Sequence, residues 1–91
     1  MAEFLVELYV SRSNGSRVQL AADALTRAGT ALRCLRTIFV PEDEMGFLLF
    51  EAASLDDVLE AARNADIPLA RVSEAVTSPI VTVPRGHRCF A

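Results

Sequence analysis

Strand-like and helix-like stretches follow one another along residues 1–76 in the order strand, helix, strand, strand, helix, strand. A stretch is predicted to be a strand where apolar residues alternate with polar ones, or where β-branched and aromatic residues cluster. The predicted strands are Glu3–Val10, Ala31–Val40, Gly46–Ala52 and Ala70–Val76. This order is typical of a split βαβ arrangement. We therefore expect an α+β, ferredoxin-like βαββαβ plait, with a four-stranded antiparallel sheet of order 4-1-3-2 and two helices on one face. Many unrelated activities share this fold, so it names no function.

The first helix is predicted over Arg17–Ala28. Ser16 precedes it and Gln19 follows three residues later, which is the spacing of a capping box. Gly29 stands where a glycine in the left-handed conformation commonly ends a helix. Apolar residues recur at helical spacing between these two signals, so this helix should bury one face.

A second capping signal, Ser54 with Asp57 three residues later, predicts the start of the second helix. Acidic residues in its first turn suit the positive end of the helix dipole. The predicted buried stripe consists of Leu55, Val58, Leu59 and Ala62. The helix should end before Ile67-Pro68, because a residue that precedes proline disfavours helical geometry.

The first strand presents two kinds of side chain on its two faces. One set is uniformly apolar and comprises Phe4, Val6, Leu8 and Val10. The other set is mixed and comprises Leu5, Glu7 and Tyr9. We expect the apolar set to face the helices and the mixed set to lie on an open sheet face that meets a ligand or another subunit.

The length of 91 residues suits one domain with a small core. We assign residues 1–76 to that domain and residues 77–91 to a C-terminal tail, in which Ile80–Val83 either adds an edge strand or is disordered. Hydrophobic residues make up 52% of the chain, and this surplus favours self-association. The net charge of −3 argues against a nucleic-acid partner, because phosphates require a basic surface.

The sequence also favours a cytoplasmic protein. Neither a signal peptide nor a membrane-spanning run is apparent, so we expect no membrane partner. The two cysteines, Cys34 and Cys89, are too few for a disulfide framework and suit a reducing compartment. All nine basic residues are arginines, which we interpret as the codon bias of a GC-rich genome.

Two carboxylates are the leading candidates for a ligand site. Glu7 and Glu51 lie on the two strands that we expect to be central and adjacent. If their side chains face the same way, they share a concave surface with Tyr9 and Arg36, where they could bind a cation, move a proton or hold an arginine. In the alternative, each glutamate is exposed or ion-paired at a strand end, and Arg33 or Arg36 neutralises it. We assign no catalytic residue.

Metal and covalent chemistry have little support in the sequence. His87 is the only histidine, and with Cys89 it offers two ligands, but there is no histidine cluster and no Cys-x-x-Cys pair. We therefore predict no metal site and no cofactor. A nucleophile activated by histidine would depend on the same single residue.

Four segments together resemble a known family, namely Phe4–Glu7, Leu35–Glu44, Phe47–Ala52 and Ile67–Val72. They are similar to small actinobacterial ferredoxin-like proteins of mostly unknown function, a family that includes a nickel-binding protein. The resemblance implies a dimer built through sheet faces and, in the nickel-binding relative, cations held by histidines. Residues 1–86 contain no histidine, so we carry over the fold and the dimer but not the nickel site.

The sequence therefore predicts a small dimeric binding or accessory protein that uses its open sheet face for an unidentified ligand. Two alternatives stay open. One is a cofactor-free enzyme of the dimeric α/β-barrel type, in which the same face encloses a substrate. The other is a protein that binds nickel or another metal.

Overall fold

The computed structural model describes residues 1–29 and 31–78. Strands β1 (Ala2–Tyr9), β2 (Arg33–Val40), β3 (Met45–Ala52) and β4 (Arg71–Ala75) form an antiparallel sheet of order β2-β3-β1-β4. The helices are α1 (Ser16–Ala28) and α2 (Leu55–Ala65), and a 3₁₀ turn at Pro41–Asp43 joins β2 to β3. The predicted plait and its strand order 4-1-3-2 are confirmed. The segment Ile80–Val83, for which an edge strand and disorder were both left open, lies outside the described residues.

The core lies between the helices and one face of the sheet. Phe50, Leu48 and Val6 are fully buried on the two central strands, and Leu25 and Val58 meet them from the two helices. The apolar set predicted for the first strand is buried, which confirms the alternation of its side chains. Both helices therefore cover the same face, and the opposite face of the sheet is left open to other contacts.

Helix α1 begins without the predicted capping box. It starts at Ser16, so the N-cap position falls on Gly15, which has no side chain to accept a hydrogen bond. The amide of Gln19 instead donates to Asp23 Oδ1 at 3.1 Å, one turn further along the helix. The capping box was wrong because the helix begins one residue earlier than the pattern indicates.

Gly29 ends helix α1 for a different reason from the one predicted. Its φ of −93° and ψ of 163° are extended values, so the left-handed cap is wrong. A Cβ atom at this position would lie 2.8 Å from Leu32 Cγ and 3.1 Å from Ala61 Cβ. The glycine is needed because neighbouring side chains occupy the space that a Cβ would take.

Helix α2 begins as predicted, since Asp57 N–H donates to Ser54 Oγ at 3.3 Å. The predicted buried stripe is wrong for Leu55 and Leu59, which are 42% and 38% exposed. The buried residues of this helix are Val58, Ala61 and Ala62. Two of these three buried residues are alanines, and the two leucines lie at the margin of the buried face.

Candidate functional site on the open sheet face

The sheet face opposite the helices, here called the open face, carries apolar and charged side chains together. The alternation of side chains and the strand register define its members. They are Glu3, Leu5, Glu7 and Tyr9 on β1; Met45, Phe47, Leu49 and Glu51 on β3; Arg33, Arg36, Ile38 and Val40 on β2; and Arg71, Ser73 and Ala75 on β4. The four ligand-binding candidates from the sequence therefore share one face.

A β-bulge in β2 places two arginines on the open face. Arg33 lies opposite Glu51 and Arg36 lies opposite Leu49, with a shift of register between Cys34 and Arg36. In a regular strand, residues three apart point to opposite faces. The extra residue in the bulge, Leu35, restores both arginines to the same side. Strand alternation alone would have assigned one of them to the core face.

The register separates Glu7 from Glu51. Glu7 pairs with Phe47, whereas Glu51 pairs with Glu3. The two positions are offset by four residues along the strands, which corresponds to about 13 Å at about 3.3 Å per residue. The two glutamates share a face but are not neighbours.

Glu7 has an ionic partner within its own chain. Its Oε2 lies 3.9 Å from Arg71 Nε, on a guanidinium side chain that is 73% exposed. An exposed pair at this distance contributes little to stability. Glu7 is thus ion-paired, as in the alternative to a ligand site, but its partner is Arg71 and not Arg33 or Arg36.

Glu3 belongs to the site although the sequence did not single it out. It lies directly opposite Glu51, and two like charges in that position repel each other. Thr77 Oγ1 donates a 2.7 Å hydrogen bond to Glu3 Oε1, and Arg33 lies on the other side of Glu51. Only the register between β1 and β3 brings these groups together, so no local sequence signal could have identified Glu3.

A depression of about 710 Å³ lies at this end of the open face. Small-molecule sites commonly have volumes of about 300–1,000 Å³. Its lining is apolar at Leu5, Leu35, Ile38, Leu49 and Ala75, and polar at Glu3, Arg36, Thr77 and Ser78. Of the four sequence candidates, Arg36 lines this depression, whereas Glu7, Tyr9 and Glu51 do not.

Tyr9 lies at the other end of β1, where it is 79% exposed. It lines a second depression of about 540 Å³, together with side chains of α1 and of the segment that follows α2. Arg17 and Asp66 are the charged residues there. Tyr9 and Arg36 therefore line different depressions.

Cys34 lies on the core side of β2 and is half-buried. Burial raises the pKa of the Cys34 thiol, and the nearby negative charge of Asp23 raises it further. The thiol lies 3.7 Å from the backbone oxygen of Arg36. A raised pKa reduces the nucleophilic thiolate at neutral pH.

The two candidate metal ligands of the tail, His87 and Cys89, lie outside the described residues. Within residues 1–29 and 31–78, no three His, Cys, Asp or Glu side chains are grouped so that they could hold a metal ion. In the same part of the chain, no helix is long and apolar enough to cross a membrane.

Comparison with known proteins bears on the fold. No family model matches the chain, and no curated protein matches it. Among solved structures, the chain is similar to the crystal structure of SCO4226 from Streptomyces coelicolor A3(2), with a TM-score of 0.63 and 13% sequence identity. The similarity covers 86% of this chain and 100% of that one. At such low identity it shows that the two proteins share a fold.

Proposed function

We propose that the protein is a homodimeric small-molecule-binding protein whose subunits meet through their open faces. The observation that carries this proposal is the composition of that face. Leu5, Phe47 and Leu49 lie on its two central strands, with charged residues around them. An apolar patch rimmed by polar groups is a common mark of an interaction surface.

The charges of the open face are complementary to themselves. Its members include three acids and three bases, namely Glu3, Glu7, Glu51, Arg33, Arg36 and Arg71. Among residues 1–29 and 31–78, Glu7 and Arg71 form the only ion pair within 4 Å, so the other charges of the face lack such a partner there. A two-fold contact brings the same surface from both subunits together, so Arg33 of one subunit can pair with a glutamate of the other, while Arg36 lines the depression.

The size of the open face supports the same proposal. Three of its strands have eight residues, and four strands at the usual spacing span a plane of about 19 by 26 Å. Such a plane has an area of about 500 Å² before the relief of its side chains is counted, which approaches the roughly 800 Å² that each partner contributes to a standard interface. The balanced charge also favours a second copy of this chain over a nucleic acid, which needs an excess of basic groups.

The depression supports the binding role. Its apolar floor with a few polar groups at the rim is the usual composition of a small-molecule site. A second subunit on the open face would close the depression and exclude water from a bound ligand. The proposed dimer and the proposed site are therefore parts of one arrangement.

Sedimentation equilibrium tests the dimer. The wild type should sediment as a dimer, and Leu49→Asp should sediment as a folded monomer, because a charge would be buried at the centre of the interface. Leu59→Asp is the matched control, since Leu59 lies at the exposed margin of α2, and it should remain dimeric. Circular dichroism establishes folding, and Leu49→Ser replaces Leu49→Asp if the latter is unfolded. A wild type that stays monomeric at high micromolar concentration would refute the proposal.

We also propose that the chain belongs to the small actinobacterial ferredoxin-like family and acts in the cytoplasm. Its similarity to a Streptomyces structure and its exclusive use of arginine as the basic residue support the first part. The low cysteine content supports the second part. Nickel binding is left out of the proposal, because residues 1–86 contain no histidine.

A further inference from the structure

We propose that the depression on the open face binds small apolar carboxylic acids, and that Arg36 holds the carboxylate. This inference rests on the proposed function, because the second subunit would close the depression. It adds the chemical class of the ligand and the group that recognises it. Three features of the depression support it: a cation without an ionic partner, an apolar floor, and an acidic wall on the opposite side.

Arg36 is the cation. The bulge in β2 turns it to the open face, and it is the one basic residue among those of the described chain that line the depression. Within residues 1–29 and 31–78, no carboxylate oxygen lies within 4 Å of its guanidinium nitrogens. A guanidinium presents paired N–H donors that match the two oxygens of a carboxylate. An acidic ligand would supply a partner that these residues do not provide.

The floor of the depression accepts hydrocarbon. Leu5 and Leu49 come from the two central strands, and Leu35 and Ile38 come from β2 beside Arg36. Their side chains have no hydrogen-bonding atoms, so a polar ligand body would lose its bonds to water without replacement. The body of the ligand should therefore be apolar, with its polar group at one end.

The acidic wall of the depression, formed by Glu3, determines how the ligand is oriented. Glu3 lines the depression on the side away from Arg36, and one of its oxygens already accepts the hydrogen bond from Thr77. Its negative charge repels a carboxylate, whereas Arg36 attracts one. An apolar acid should thus bind with its carboxylate beside β2 and its chain along the sheet towards β1.

Isothermal titration calorimetry with sodium octanoate, 1-octanol and octylamine tests this inference, because the three probes share a chain and differ in the head group. Octanoate should bind the wild type about tenfold more tightly than octanol, the difference expected for one charge-assisted contact. Arg36→Gln should remove that difference and leave the affinity for octanol unchanged. Arg27→Gln, an exposed residue of α1 on the other side of the sheet, is the matched control and should retain the difference.

The outcomes separate this inference from the dimer proposal. Each variant is titrated at a concentration where sedimentation shows it to be dimeric. Equal affinity for octanoate and octanol, or tighter binding of octylamine, would overturn the carboxylate inference and leave the dimer intact. If the wild type is monomeric, the dimer proposal fails. Octanoate binding that depends on Arg36 would then still support the carboxylate site. If the monomer does not bind octanoate, the carboxylate inference is overturned together with the dimer proposal.

Discussion

Phe47 and Phe50 offer a matched test of the two faces of the sheet. Both lie on β3, three residues apart, and the strand directs them to opposite faces. Phe50 is 0% exposed beneath the helices, whereas Phe47 pairs with Glu7 on the open face. Replacing each by alanine removes the same atoms from two different environments.

The two substitutions should act on different equilibria. Phe50→Ala should lower the free energy of unfolding by about 3–5 kcal/mol, because it removes a buried ring and leaves a cavity in the core. Phe47→Ala should affect the core less and should weaken the dimer. An aromatic residue near the centre of an interface commonly contributes about 2 kcal/mol, which corresponds to a roughly 30-fold increase in the dissociation constant.

Urea unfolding at a low and a high protein concentration distinguishes the two effects. When a dimer unfolds to separate chains, its midpoint rises with protein concentration. The wild type and Phe50→Ala should show this rise, whereas in Phe47→Ala it should be reduced or lost. Phe50→Leu replaces the alanine variant if the latter does not fold. If Phe47→Ala lowered the midpoint as much as Phe50→Ala at both concentrations, Phe47 would belong to its own subunit's core, and our reasoning about the open face would be wrong.

Three further predictions concern the rest of the chain. Ser54→Ala should lower the free energy of unfolding by about 1 kcal/mol, because it removes the hydrogen bond that caps α2 at the Asp57 N–H. Ser16→Ala should change the free energy of unfolding little. Equal losses of stability in urea unfolding would contradict this assignment of the caps. Gly29→Ala should lower the free energy of unfolding by about 1–3 kcal/mol, because the new Cβ would crowd Leu32. The double variant Gly29→Ala/Leu32→Ala should lose less stability than the sum of the two single losses. Losses that simply add would contradict this crowding. In a Cys89→Ser chain, Cys34 should react with iodoacetamide more slowly than free cysteine near pH 8, because burial raises the pKa of its thiol. Its reaction rate should also level off at a higher pH than that of free cysteine. A pH profile identical to that of free cysteine would show that the thiol is not desolvated.

Features that depend on neighbouring residues could be predicted from the sequence. The alternation along β1 identified its buried side chains, and the spacing of Ser54 and Asp57 identified the start of α2. In both cases the physical cause lies within a few residues: the pleat of a strand, or the unpaired N–H groups of a first helical turn.

Features that depend on how helices and strands pack against one another could not be predicted from the sequence. Gly29 appeared to be a conformational cap, yet the limiting factor is the space taken by Leu32 and Ala61. Leu55 and Leu59 appeared to belong to the core because they fall at helical spacing, but the buried residues of α2 are Val58, Ala61 and Ala62. Hydrophobic periodicity indicates which side of a helix is buried, and it does not indicate how far that contact extends.

The sequence by itself determined which segments form strands and helices and which side of β1 faces the core. Only the tertiary structure decided which charged residues share the open face and how far apart they lie. The bulge at Leu35 brings Arg36 to the depression, and the pairing of β1 with β3 sets Glu3 against Glu51 and separates Glu7 from Glu51. Register and bulges belong to pairs of strands that are distant in the chain, so the pattern within one strand does not contain them.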